Sequence, residues 1–189
     1  MGEEAGEVKT EPLDPEREAR RRLALAQIRQ YPDPVLRMQA REVESFDDDL
    51  QRLVERMTRL MMEANGVGLA ATQVGVLRRV FVFQRGDEEP EQVALINPRI
   101  VARSDEAGTA DEGCLSLQGV TVPVERSVAV TLEASDPAGV PLRLALEEAE
   151  ARVAQHELDH LDGILILDRT TEEGRRTALA TLRPQPVLR

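Results

Sequence analysis

Residues 151–168 read ARVAQHELDHLDGILILD, and inside this stretch His156-Glu157-Leu158-Asp159-His160 sets two histidines four positions apart. The run has helical character. Glu147, Glu148 and Glu150 lie ahead of it, where negative charge suits a helix N-terminus, and Gly163 lies just past its end. On a helix over 147–161, positions i and i+4 share one face, so His156 and His160 can chelate a single ion. Glu157 then comes within reach of a water on that ion. Histidines on a buried helix can also do no more than hydrogen-bond to backbone. Here both histidines of the chain fall in the one motif, which favours the metal.

Two imidazoles leave the ligand set incomplete. One common completion has a further histidine at the position of Ile166, so it fails. Another takes a glutamate from a later helix, but no Glu, Asp, His or Cys occurs between Ala178 and Arg189. The search therefore turns upstream, to Cys114 in DEGCLSLQG (111–119), the only cysteine. A lone cysteine is commonly a buried structural thiol. Against that, Gly113 beside it suits a ligand presented from a tight turn. One Cys with two His would leave a fourth position for water, the arrangement of a catalytic site.

The rest of the 189 residues bounds the setting. Composition is ordinary for a globular chain, 41% hydrophobic and 31% charged, with aromatics at only 2%, so aliphatic side chains must fill the core. A net charge of −11 argues against DNA as a partner. No apolar run approaches the ~20 residues of a membrane span. The acidic start MGEEAGEVKTEPLDPERE lacks an apolar signal core. With a single cysteine, these features predict a cytoplasmic protein. Nothing in the pattern suggests more than a monomer.

Residues 1–22 read as a charged, mobile N-terminal arm, with helical character near PEREARRRLALA. Residues 23–170 form the predicted catalytic domain, and 171–189 a tail with a short helix. YPDPVLR (31–37) reads as turn-rich and extended. SFDDDLQRLVERMTRLMMEANG (45–66) is an amphipathic helix, whose methionines read as core filler. RRVFVF (78–83) and VALINPRIV (93–101) read as strands. TVPVERSVAVTLEA (121–134) and VPLRLAL (140–146) read as a hairpin turning through SDPAG.

GVGLAATQ (66–73), EGCLS (112–116) and QHELDHLDG (155–163), in this order, resemble the three signature motifs of the peptide deformylases. PDPVLR near the start is similar too, and the resemblance covers about residues 24–170. It implies an α+β fold, with antiparallel β-sheets surrounding a central helix that carries the histidines. It implies hydrolytic removal of the formyl group from N-formylmethionine on new polypeptides, near the ribosome. Cys114, His156 and His160 would bind one divalent metal ion, Fe²⁺ in the cell, with Zn²⁺, Ni²⁺ or Co²⁺ able to occupy the site. Glu157 would relay a proton from water to the departing amine, and Gln73 with the Leu115 backbone N–H would hold the oxyanion. Val67 and Gly68 would lie along the extended peptide, Val153 would face the methionine pocket, and Gln155 and Asp159 would orient the ligands or the loop. Gln118 departs from the family pattern, which commonly has proline there.

Two other readings compete. A different His-Glu-x-x-His hydrolase, such as an endopeptidase, lacks its downstream ligand here. A metal-bearing binding module for nascent chains or ribosomes would need no catalytic Glu157. Arg175, Arg176 and Arg183 could touch ribosomal RNA, although a solvated helix face accounts for them equally simply.

Overall fold

The computed structural model describes residues 14–86 and 89–183. Its order is α1 (Pro15–Leu25), α2 (Asp48–Glu63), β1 (Gly68–Ala70), β2 (Val80–Arg85), β3 (Glu91–Arg103), β4 (Ala107–Gly113), β5 (Thr121–Ser127), β6 (Ala129–Ser135), β7 (Pro141–Glu147), α3 (Glu148–Leu161), α4 (Ile166–Arg169) and α5 (Glu172–Leu182). Five strands form an antiparallel sheet in the order β1-β2-β3-β6-β7, and β4 pairs with β5 in a separate ribbon. The architecture is α+β, as the resemblance implies.

The VFVF run explains how the large sheet sits. Successive side chains of a strand point to opposite faces. Val80 and Val82 pack with Leu50, Met57, Leu60 and Met61 of α2 on one side. Phe81 and Phe83 pack with Ala151, Ala154, Leu158 and Leu161 of α3 on the other. The sheet is therefore buried on both faces where β2 runs, and α3 also touches β5 of the ribbon. A third cluster joins Val122 and Val124 of β5 to Leu165, Ile166 and Leu167 around α4 and to Ala178 of α5.

Caps set the helix ends. Asp47 Oδ1 accepts from the Leu50 N–H at 3.0 Å at the start of α2, and Asn65, at φ 56°, turns the chain out of its end. Gly163 does the same for α3 at φ 72°. A Cβ there would lie 2.8 Å from the Arg37 carbonyl carbon, so no larger residue fits.

Two local expectations change. The stretch 121–134 is not one strand: it breaks at Val128, with β5 pairing to β4 while β6 pairs to β3 and β7. The β6–β7 hairpin itself forms as read, Asp136 Oδ1 accepting from the Ala138 and Val140 N–H groups at 2.8 Å. PDPVLR is not extended but closes a short 3-10 turn over Pro34–Arg37, capped by Asp33. Residues 1–13 of the expected N-terminal arm lie outside the described residues. From Pro15 the chain is helical in α1, whose Ala24 and Leu25 enter the core beside α2.

Candidate active site

Cys114 follows the last residue of β4, and α3 supplies His156 and His160. Cys114 Sγ lies 3.2 Å from His160 Nε2, which lies 3.2 Å from His156 Nε2. All three donor atoms fall within 4.8 Å of one another. The other ring nitrogen of His156 sits 3.0 Å from Glu112 Oε2. An ionised carboxylate only accepts, so Nδ1 carries the hydrogen and the Nε2 lone pair points at the other donors. One soft sulfur and two imidazole lone pairs, converged and partly shielded from water, repel one another unless a cation lies between them. The donor set and its spacing fit a single metal ion.

With no ion between them, the two rings differ in their hold on a proton. Burial pushes the His156 imidazolium down, but hydrogen bonds to Cys114 and Glu112 outweigh it and its pKa rises well above the usual value. Burial, then the charge of His156, drives His160 well below.

Glu157 is 3% exposed, its Oε2 has no hydrogen-bond partner, and burial raises its pKa to about 7. Gly68 makes room for it: a Cβ there would come within 2.9 Å of the Glu157 Cδ. Gln73 lies in a 3-10 turn (Ala71–Val74), with Oε1 accepting the Ala70 N–H at 2.8 Å. Its amide nitrogen therefore points the other way, 3.1 Å from Ser116 Oγ and 3.7 Å from Cys114 Sγ. The Leu115 carbonyl accepts from Gln30 Nε2 at 2.9 Å, while the Leu115 N–H has no acceptor among the described residues. The chain at 29–31 stitches these pieces together: Arg29 N–H donates to the Gln73 carbonyl at 2.7 Å and Tyr31 N–H to the Ser116 carbonyl at 2.9 Å.

A cleft of about 500 Å³ opens onto this cluster. Val67, Gly68, Gln73, Cys114, Leu115, Gln118, Val153, His156 and Glu157 all line it, while His160 lies behind them, 1% exposed. Neither the Gln155 nor the Asp159 side chain hydrogen-bonds to a donor side chain among the described residues. Gln155 ties α3 to the Ser127 carbonyl and to Arg103. Asp159 holds Arg126 at 2.5 Å and Arg169 at 2.6 Å.

The residues that steady the site most directly were not singled out from sequence. Glu112 takes both arms of Arg126 at 2.9 Å, Arg152 at 2.9 Å and His156. Burial raises the Glu112 pKa, but its bonds to Arg126 and His156 outweigh that and bring it to about 2. One signal was available. In β5, Val122, Val124 and Arg126 alternate inward, so an arginine stands where the pattern wants an apolar residue.

The polypeptide deformylase family model matches residues 25–176. A peptide deformylase of Desulforudis audaxviator is 45% identical over 154 residues, covering 82% of this chain and 99% of that protein. One of Natranaerobius thermophilus is 46% identical, covering 81% and 97%. The crystal structure of peptide deformylase from Thermotoga maritima superposes with a TM-score of 0.73 at 44% identity, covering 76% of this chain and 96% of that one. The chain belongs to the polypeptide deformylase family. It is accordingly a hydrolytic enzyme, one that takes the formyl group from the N-terminal formylmethionine of polypeptides.

Proposed function

We propose that deformylation here is assisted by one divalent ion held by Cys114 Sγ, His156 Nε2 and His160 Nε2. The observation that carries this reading is the convergence of those three donors beside a buried, unpartnered glutamate. When bound, the ion supplies Lewis acidity towards water and the formyl oxygen. Fe²⁺ is the ion expected in the cell, and Zn²⁺, Ni²⁺ or Co²⁺ suit the same donors.

The chain's own residues do the rest. Glu157, with a pKa of about 7, can take a proton near neutral pH and return it. It removes one from the attacking water and delivers it to the methionine nitrogen as the formyl C–N bond breaks, leaving formate and a free amine. The Gln73 amide and the Leu115 N–H hold the oxygen on which charge develops. Such a donor typically contributes ~2.7–4 kcal/mol to the transition state. Gln73 is held ready by Ala70, and Leu115 by Gln30. Val153 offers the methionine side chain an apolar wall. β1 is an edge strand, so Val67 and Gly68 give an extended peptide a backbone to pair with.

In α5, Arg176 pairs with Glu172 at 3.3 Å and both are exposed, which favours a solvated face over ribosome contact. Formate release from a formyl-Met peptide, run beside casein, tests the whole reading. Formate without casein cleavage is expected, and casein cleavage without formate overturns it. Cys114→Ser is expected to lose most of the bound metal, and a full complement would move the third ligand elsewhere.

A further inference from the structure

α1 lies almost wholly ahead of the stretch that matches the family, yet it reaches the catalytic cleft. Arg21 and Leu25 line the same cavity as His156 and Glu157. Among the described residues two arginines line that cavity, and they differ. Arg152 is committed, donating to Glu112 Oε1 at 2.9 Å, to the Val124 carbonyl at 2.8 Å and to the Gly108 carbonyl at 2.7 Å. Arg21 is not committed. Its Nε is buried without a hydrogen-bond partner among the described residues. Among the described residues its one carboxylate partner is Glu18, 4.0 Å away on its own helix, with both side chains about two-fifths exposed (39% and 40%). A pair that long and that wet holds an arginine weakly.

We propose that Arg21 is a specificity-determining residue, drawing acidic side chains in the second or third position of the substrate peptide to the mouth of the cleft. The inference rests on the deformylase reading of the site. A guanidinium in a half-enclosed cleft gains more from a carboxylate than the same group in open water does. The attraction is made equally before and during the reaction, so it lowers KM and leaves kcat alone. Asp111 also lines the cleft, is exposed, and pulls the other way.

The test uses C-terminally amidated peptides, so that the side chain carries the only carboxylate. Formyl-Met-Ala-Asp-amide and formyl-Met-Asp-Ala-amide are compared with their lysine counterparts, on the wild-type protein and on Arg21→Ala and Arg21→Lys. The wild-type protein is expected to favour aspartate at one position by about three- to fivefold in kcat/KM, the size of a partly exposed ion pair. Arg21→Ala abolishes that preference through KM, Arg21→Lys keeps most of it, and molar salt weakens it. A ratio unchanged in Arg21→Ala overturns the proposal. So does a wild-type preference for lysine, which would make Asp111 the governing charge. A neutral peptide, formyl-Met-Ala-Ala-amide, separates the two readings: if the wild-type protein releases no formate from it, the deformylase reading fails, not the role of Arg21.

Discussion

Two ionic clusters share the segment from Glu112 to Cys114, and they are built on opposite rules. In the cluster on the cleft, Cys114, His156, His160 and Glu157 face one another with atoms left over: Glu157 Oε2 and His160 Nδ1 are buried and unpartnered. In the cluster that runs from the cleft wall inward, Glu112, Arg126, Asp159, Arg152 and Arg169 close on one another, with Arg126 and Glu112 both 5% exposed along their side chains. Burying a polar group without a partner costs free energy, so a fold keeps such groups only where something else needs them. The open cluster is the one that can still bind and react. The closed one holds its position, and Glu112 is the member that belongs to both.

The sharpest way to break this comparison is to remove the acid of the open cluster. Glu157→Ala is expected to lower formate release by about 10²–10⁴-fold while bound metal is retained. Its melting temperature should stay level or rise, because the variant no longer buries a carboxyl group without a partner. Lost metal or a clear loss of stability would mean that Glu157 is part of the architecture.

The closed cluster should answer in the reverse sense. Arg126→Ala takes from the buried Glu112 and Asp159 carboxylates the cation they share, and is expected to cost about 3–5 kcal/mol in urea unfolding. A cost below about 1 kcal/mol, the range of a surface pair, would erase the distinction between the clusters. Glu112→Ala probes the member they share. It removes the acceptor that fixes the His156 ring, and metal affinity measured by competitive chelation should fall about 10–100-fold. Unchanged affinity would show that β4 and α3 hold the donors without Glu112.

The same contrast explains what sequence alone could reveal. The open cluster was legible because most of it is local: both histidines and Glu157 sit on one helix, where periodicity fixes their facing. Cys114 came from eliminating downstream ligands and from a resemblance in three short motifs. The closed cluster is non-local. Arg126 meets Glu112 across the β4–β5 ribbon and Asp159 from α3, and no periodicity links those three positions. β4 itself was invisible, since AGTADEG has the composition of a loop and is a strand because β5 pairs with it from Ala107↔Ser127 to Gly113↔Thr121. The break at Val128 was hidden for the same reason, because strand pattern continues through it while the pairing partner changes.

The smallest effect belongs to a pair that is closed but wet. Arg37 donates to Asp168, and Asp168 Oδ2 also accepts the Leu165 N–H at 2.9 Å. Burial raises the Asp168 carboxyl, but the Arg37 and Leu165 bonds outweigh it, so the folded pKa lies below the ordinary value. A carboxyl depressed by folding contributes stability above its unfolded pKa and loses it as pH falls through the folded one. The wild-type protein should therefore be more stable than Asp168→Asn at neutral pH by about 0.2–1 kcal/mol, since both side chains are partly exposed. That margin should hold down to about pH 4, where unfolded aspartates begin to protonate, and shrink below it. Urea titrations of both proteins from neutral pH to acid test this. A margin that grows as pH falls would reverse the sign and show that the unfolded chain, not the folded one, holds the Asp168 charge more tightly.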